Sequence, residues 1–134
     1  MQVVTIILDS NFVLAESQFQ MDILHQLTLL FKGNVQPIVI SPVIDELHSM
    51  TLKHELKRSR AAAKALDTIR QIPVEEVCRD PNESVDDVIA RVSSQKKWAV
   101  ATNDRKLRKR LDALAVPTVY LRQGTHLEAK GIPT

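Results

Sequence analysis

The stretch VVTIILD, residues 3–9, shows a pattern that recurs along this chain. Six residues, most of them β-branched or aliphatic, are followed by an acidic residue, Asp9. A short apolar run of this kind is typical of a strand that is buried on both faces of a sheet. Because a buried carboxylate is costly unless it is paired, an acid at the end of such a strand indicates a functional site.

Further acidic residues also follow predicted strands. They are Glu46 after strand 37–40, Asp86 and Asp87 after strand 74–77, and Asp104 after strand 98–101. If the strands are parallel, these carboxylates meet at the carboxyl edge of one sheet, where sites form in open α/β folds. Carboxylates that lie close together repel one another unless they are protonated or bridged by cations. The pattern therefore predicts a divalent metal centre.

The segments between the strands have the apolar spacing and the caps of helices, which gives the element order β-α-β-α-α-β-α-β-α-β. Strands joined by helices in this way form right-handed crossovers and a parallel sheet. We therefore expect an α/β fold: a doubly wound, mainly parallel five-stranded sheet with helices on both faces, in three layers (α/β/α). Residues 1–122 are predicted to form one domain. Residues 123–134 lack a clear period and are predicted to be a C-terminal tail.

The composition is that of a globular protein. The chain has 134 residues, of which 44% are hydrophobic and 25% charged, close to the average for soluble domains. No apolar run approaches the roughly 20 residues of a membrane span, and no signal-peptide pattern is found. We expect a cytoplasmic protein with no membrane partner. The lone cysteine, Cys78, excludes an intramolecular disulfide and is expected in the core.

The lysines and arginines are concentrated in two predicted helices, although the formal net charge is only +2. One helix follows the fourth strand and contains Arg105, Lys106 and Lys109, and the other contains Lys57 and Arg60. Basic helices attract a nucleic-acid backbone independently of its sequence. We predict that these five residues contact a nucleic-acid backbone. The alternative for each helix is an ordinary solvated face.

The acidic residues also indicate which metal and which reaction to expect. Oxygen ligands suit Mg²⁺ or Mn²⁺, and the chain has no cysteine and histidine spacing typical of zinc sites. Mg²⁺ binds phosphate oxygens together with one or two carboxylates. Such ions activate water and stabilise the leaving oxygen in an in-line displacement. Hydrolysis of phosphodiester bonds is the simplest chemistry that follows.

Four segments resemble those of PIN-domain ribonucleases in order and in spacing. They are LDSN at 8–11, SPVIDEL at 41–47, SVDDVIA at 84–90 and ATND at 101–104. The resemblance spans nearly the whole chain. It is closest to small archaeal PIN proteins classed with VapC-type toxins, which are also similar to the PIN nucleases that process small-subunit ribosomal RNA.

The resemblance implies a set of site residues. Asp9, Glu46, Asp86 and Asp104 correspond to the acidic residues that bind the metal and carry catalysis in that family, and Asn11 and Thr102 to polar residues that support the site. Family members commonly place isoleucine and alanine three and four residues beyond the helix aspartate. Ile89 and Ala90 stand at these distances from Asp86, which favours Asp86 over Asp87.

The resemblance also implies an activity and partners. We expect Mg²⁺- or Mn²⁺-dependent cleavage of single-stranded RNA, frequently by a homodimer. A VapC-type toxin, with an antitoxin as its partner, is our first expectation. A nuclease of ribosomal RNA processing, with a ribosome-assembly partner, is our second.

Several alternatives stay open at this point. Asp45 is an alternative to Glu46, and Asp86 and Asp87 would stabilise the start of a helix even without a metal. The chain could be a catalytically silent PIN protein that binds RNA in ribosome assembly. It could also be a phosphotransfer protein in which Asp9 forms an aspartyl phosphate. That reading is weakened because residue 11 is asparagine and the fifth strand has no lysine motif.

Overall fold

This computed structural model describes residues 2–134, which fold into six strands and six helices. The strands are β1 (Val4–Leu8), β2 (Val35–Ile40), β3 (Val74–Glu75), β4 (Ala99–Ala101), β5 (Thr118–Arg122) and β6 (His126–Lys130). The helices are α1 (Ser10–Phe19), α2 (Ile23–Leu30), α3 (Ser41–Thr51), α4 (Leu56–Thr68), α5 (Val85–Lys96) and α6 (Arg105–Ala113). Within this part of the chain no helix is long and apolar enough to cross a bilayer.

The strands form one sheet in the order β3-β2-β1-β4-β5-β6. The first five strands along the chain pair in parallel, and β6 alone is antiparallel to its neighbour β5. Along the chain, β2 and β3 are added to one side of β1, and β4 and the later strands are then added to its other side. Because such crossovers are right-handed, the helices before and after this change of side cover opposite faces of the sheet. The prediction of a doubly wound, mainly parallel α/β fold is confirmed.

The core lies around β1 at the centre of the sheet. Ile6, Ile7 and Leu8 are fully buried, and Ile7 pairs with Ile38 on one side and Val100 on the other. A central strand covered on both faces has no polar side, which explains why its sequence is a continuous apolar run. The carboxyl ends of β1, β2 and β4 therefore meet at one edge.

The predicted C-terminal tail is wrong for residues 126–130, which form the sixth strand. Leu127 is buried and pairs with Leu121 of β5. Gln123 and Gly124 both have positive φ, at 55° and 69°, the backbone of a hairpin turn whose twist matches its strands. The strand has only two apolar side chains, Leu127 and Ala129, so its alternation was too short to be recognised in the sequence.

Two further expectations are corrected. Two helices, rather than one, connect β1 to β2, because a left-handed residue, Gln20, ends α1 and Asp22 caps α2. The third strand is two residues long and does not reach Cys78, which is exposed rather than in the core. β3 lies at the edge of the sheet and pairs with β2 alone.

Candidate functional site

Asp9 stands at the carboxyl end of the central strand, where β1 passes into α1. Its backbone N–H donates to the carbonyl of Ala101 at the end of β4, at 2.9 Å. Its carboxylate accepts from the N–H of Ser10 at 2.8 Å and from the Thr102 hydroxyl at 2.7 Å. Only 3% of Asp9 is exposed. A carboxylate is therefore held in one orientation inside the edge of the sheet.

Burial raises the pKa of Asp9 from 3.8 to about 6. The charges of Asp86 and Glu46 act in the same direction, while the hydrogen bonds from Thr102 and Ser10 oppose the shift. A raised pKa means that ionisation of Asp9 costs folding free energy. A cation at this edge would remove that cost.

Glu46 faces the same edge from the second turn of α3. This helix begins directly after β2, with Pro42 in its first turn, where the missing N–H needs no partner. Glu46 is half-buried, and its Oε1 accepts from the hydroxyl of Ser10 at 2.5 Å. The neighbouring Asp45 is exposed. The structure therefore places Glu46, and not Asp45, beside Asp9.

Asp86 and Asp87 are adjacent in the first turn of α5 but have different surroundings. Burial is the main reason why the pKa of Asp86 is raised, followed by the charges of Asp104 and Glu46. Asp87 forms a reciprocal capping box with Ser84 and an ion pair with Arg110 at 2.6 Å, and its pKa is lowered. Asp86 faces the other acids, whereas Asp87 stabilises the helix start.

Asp104 begins α6 as its N-cap. Its Oδ1 accepts from the N–H groups of Lys106 and Leu107, at 2.8 and 3.2 Å. Its own N–H donates to the Thr102 hydroxyl oxygen at 3.2 Å. Because the charge of Asp104 acts on Asp86, the two helix starts lie within electrostatic reach of each other.

The predicted supporting residues connect β1 to β4. Thr102 is fully buried, and its hydroxyl lies 2.7 Å from Asp9 but 3.3 Å from the side-chain oxygen of Asn11. That oxygen of Asn11 also accepts from the N–H of Asn103 at 3.0 Å. A hydroxyl has one proton to donate, so its shorter contact, with Asp9, is the principal one. Thr102 and Asn11 thus hold the two strand ends together.

Two residues of this network were not predicted. Ser10 connects Asp9 with Glu46, and Asn103 accepts from the N–H of Leu121 at 2.8 Å, which joins the β4 end to β5. Each lies between two predicted site residues in the sequence: Ser10 between Asp9 and Asn11, and Asn103 between Thr102 and Asp104. This adjacency is the signal in the sequence that could have indicated them.

The structure brings Asp9, Glu46, Asp86 and Asp104 to one edge, although they come from four distant segments. In residues 2–134 no three side chains of Asp, Glu, His or Cys are already grouped as a metal site. Mg²⁺ keeps several waters and needs only one or two direct carboxylates. The donors present are carboxylate and hydroxyl oxygens, which suit Mg²⁺ or Mn²⁺. The residues therefore fit such an ion.

The basic residues predicted to contact RNA fall in two separate places. Arg105, Lys106 and Lys109 are exposed on α6, whose first turn begins at the acidic edge. Lys57 and Arg60 of α4 instead line a cleft of about 1020 Å³ beside the C-terminal half of α1. Helix α4 packs on α1 and α3, whereas α6 packs on α5 and β5. Only the α6 group adjoins the carboxylates.

Comparison with known proteins gives consistent results. The structure is similar to that of the PIN domain endonuclease Utp24, with a TM-score of 0.77 and 21% sequence identity, covering 96% of this chain and 92% of that one. At this identity the likeness concerns the fold. The sequence is 28% identical over 120 residues to the rRNA-processing protein utp23 of Schizosaccharomyces pombe. The match covers 88% of this chain but 45% of that protein, so the chain spans less than half of its relative.

A family model described as a PIN like domain matches residues 6–124, which include all four carboxylates of the edge. The resemblance that the four sequence segments indicated is therefore confirmed over most of the chain. The chain belongs to the PIN-like domain family.

Proposed function

We propose that this chain is a metal-dependent endoribonuclease that hydrolyses phosphodiester bonds in single-stranded RNA during ribosomal RNA processing. One observation carries the proposal: four carboxylates from distant segments lie at one edge of the sheet, beside the exposed basic residues of α6. The charges of Glu46 and Asp86 act on the buried Asp9, and the charge of Asp104 acts on Asp86. A relative named as an rRNA-processing protein and a solved fold named as a PIN endonuclease support it.

In this proposal Asp9, Glu46, Asp86 and Asp104 hold Mg²⁺ or Mn²⁺. The bound ion supplies an activated water and stabilises charge on the phosphate oxygens. The chain's own residues do the rest. Thr102 and the N–H of Ser10 keep the Asp9 carboxylate in place, and the Ser10 hydroxyl orients Glu46. Arg105, Lys106 and Lys109 attract the RNA backbone towards the edge.

Of the two biological roles, ribosomal RNA processing now ranks above the VapC-type toxin that was our first expectation from the sequence. The relative named as an rRNA-processing protein favours ribosomal RNA processing over a VapC-type toxin, so a ribosome-assembly partner now comes before an antitoxin. The homodimer, the antitoxin and the cytoplasmic location stay predictions. Membership of the PIN-like family also weighs against the aspartyl-phosphate alternative.

A catalytically silent RNA-binding protein is the second candidate. It is favoured by the absence, within residues 2–134, of three acidic side chains already grouped around a metal position. It would use the same basic helix and the same fold for docking. The two candidates differ in turnover and not in RNA binding.

The test is cleavage of an end-labelled, unstructured RNA by the purified chain in Mg²⁺, Mn²⁺ or EDTA. We expect cleavage with either metal and none in EDTA. Asp9→Asn should abolish cleavage, whereas Asp45→Asn, the same change at an exposed acid outside the edge, should not. RNA binding without cleavage would support the silent alternative. Equal cleavage by the wild type and Asp9→Asn would reveal a contaminating nuclease and overturn the proposal.

A further inference from the structure

Arg108 occupies a distinctive position on α6, one turn beyond Asp104. Its backbone N–H donates to the carbonyl of Asp104 at 2.9 Å. Its guanidinium carbon lies 4.0 Å from the centre of the Tyr120 ring. At this distance the cation interacts with the π-face of the ring. The stack holds the guanidinium against the strand that follows α6 in the chain.

Within residues 2–134 the Arg108 guanidinium has no hydrogen-bond acceptor. Its Nε is buried without a partner, and no carboxylate pairs with it. Four other arginines of the described chain form ion pairs: Arg70 with Asp67, Arg91 with Glu83, Arg110 with Asp87, and Arg122 with Glu128. An arginine has five N–H donors in a planar fork. Arg108 thus combines a positive charge that no acid neutralises with a side chain that is held in place.

Tyr120 is itself fixed by the β5–β6 hairpin. Its hydroxyl donates to Glu128 at 3.0 Å, and Glu128, which stands opposite it in the antiparallel pair, also binds Arg122 at 3.0 Å. The ring beneath Arg108 therefore has a defined orientation. A guanidinium held in this way loses little conformational entropy when it forms hydrogen bonds with a ligand.

The stack lies at the carboxyl side of the sheet. Val119 pairs with Ala101, so Tyr120 is level with Thr102, next to the end of β4. Arg108 stands above it on the helix that Asp104 begins. The unpaired guanidinium is therefore beside the acidic edge, on the side away from β1.

We propose that Arg108, oriented by Tyr120, binds a backbone phosphate of the single-stranded RNA next to the carboxylates. The inference rests on the proposed function and specifies one contact of its substrate. A guanidinium matches the geometry of a phosphate. Because the Nε of Arg108 is buried, the terminal N–H groups of this half-buried side chain are the ones that donate to the phosphate oxygens. The contact recognises the backbone and is independent of base identity.

The test measures binding rather than cleavage. A fluorescent single-stranded RNA is titrated in EDTA at several salt concentrations, with the wild type, Arg108→Gln and Arg70→Gln. Arg70 is an exposed arginine of another region, paired with Asp67, and controls for the loss of one charge. We expect Arg108→Gln to bind about 10-fold more weakly. Its slope of log affinity against log salt should be smaller by about 0.7. Arg70→Gln should match the wild type.

Two Tyr120 variants test the role of the stack. Tyr120→Phe keeps the ring and loses the hydroxyl, whereas Tyr120→Leu loses the ring. We expect RNA affinity to fall in Tyr120→Leu and to be nearly retained in Tyr120→Phe. Thermal melting of each variant separates this effect from unfolding. A purely structural stack would lower the melting temperature of Arg108→Gln and leave its salt slope unchanged, which would overturn the proposal.

A measurement on the wild type keeps the inference testable even if the variants do not fold. The Nε–H nuclear magnetic resonance signal of Arg108 should shift when the RNA is added, and an unchanged signal would overturn the proposal. If Arg108→Gln shows the smaller salt slope but the wild type never cleaves RNA with Mn²⁺, the phosphate contact stands and the nuclease proposal fails. If cleavage occurs while Arg108→Gln binds like Arg70→Gln, the reverse holds.

Discussion

The acidic edge consists of two regions that hold their carboxylates in different ways. At the junction of β1 and β4, Asp9 is buried and accepts a hydrogen bond from Thr102, 93 residues away in the chain. At the starts of α5 and α6, Asp86 and Asp104 are half-buried in first-turn or N-cap positions. Acids at helix starts stabilise their own helices. Asp9 also caps a helix, α1, and burial raises the pKa of Asp86 as well. Asp9 differs in being almost fully buried, with a pKa raised to about 6, so its ionisation makes the site less stable.

This difference distinguishes acids whose presence is explained by the stability of the fold from acids whose presence is explained by a bound ligand. A half-buried aspartate at a helix start, such as Asp104, is useful to the protein without any ligand. A buried strand-end aspartate is costly at neutral pH unless something binds it. Asp9 is therefore the stronger evidence for a metal site. The other acids are assigned to that site because they lie at the same edge as Asp9.

The largest expected effect is on stability as a function of pH. Because the pKa of Asp9 is raised to about 6 in the folded state, the folded protein binds more protons than the unfolded chain between pH 3.8 and 6. Stability therefore falls as pH rises through this window. Relative to Asp9→Asn, the wild type should lose about 3 kcal/mol of unfolding free energy from pH 3 to pH 7. Urea denaturation in EDTA measures this difference.

Addition of Mn²⁺ at pH 7 provides the matching control. It should restore stability to the wild type and have little effect on Asp9→Asn, because a ligand that binds only the folded state stabilises it. Parallel pH profiles of the two proteins would show that the two regions of the edge do not differ as described.

A smaller effect is expected for the two adjacent aspartates of α5. Asp86→Asn should lower the rate of RNA cleavage by about 100-fold. Loss of a group that only orients a metal ligand already costs about 10- to 100-fold, and loss of the ligand itself should cost no less. Asp87→Asn should keep the rate within about 3-fold, since its contacts are with Ser84 and Arg110. It should instead lower the melting temperature by roughly 2–4 °C through loss of the capping box.

Single-turnover rates and thermal melting of both variants decide between these roles. If Asp87→Asn had the larger effect on the rate, the assignment of Asp86 to the site would be wrong.

The smallest effect concerns Ser10, which joins the Asp9 region to Glu46 of α3. Ser10→Ala removes the hydroxyl that donates to Glu46 and leaves the Ser10 N–H bond to Asp9 intact. We expect about a 10-fold loss of activity at limiting metal, recovered in part at high Mn²⁺, as for a group that orients a metal ligand. Thr51→Ala, which removes a hydroxyl at the far end of α3, is the control. Equal rates for both variants would mean that Ser10 does not orient Glu46.

The main fold and the acidic set could be predicted because they depend on local patterns. Apolar runs ending in acids, at residues such as Asp9 and Asp104, identify strand ends directly. The sixth strand could not be predicted, since Leu127 and Ala129 are too few to show an alternation and its turn has the sequence Gln-Gly rather than a usual Asn-Gly. α1 was missed because its apolar side chains are weakly segregated and Asp9, already assigned to the site, is also its cap.

The sequence by itself determined the order of five strands and five helices, the parallel sheet and the acids at its carboxyl edge, because strand burial and helix caps depend on neighbours in the chain. Only the tertiary structure decided that Glu46 contacts Ser10, that Asp86 faces the acids while Asp87 faces Arg110, and that Arg108 stacks on Tyr120. These contacts join elements far apart in sequence. Their geometry depends on how whole helices pack against the sheet, and no local period encodes it.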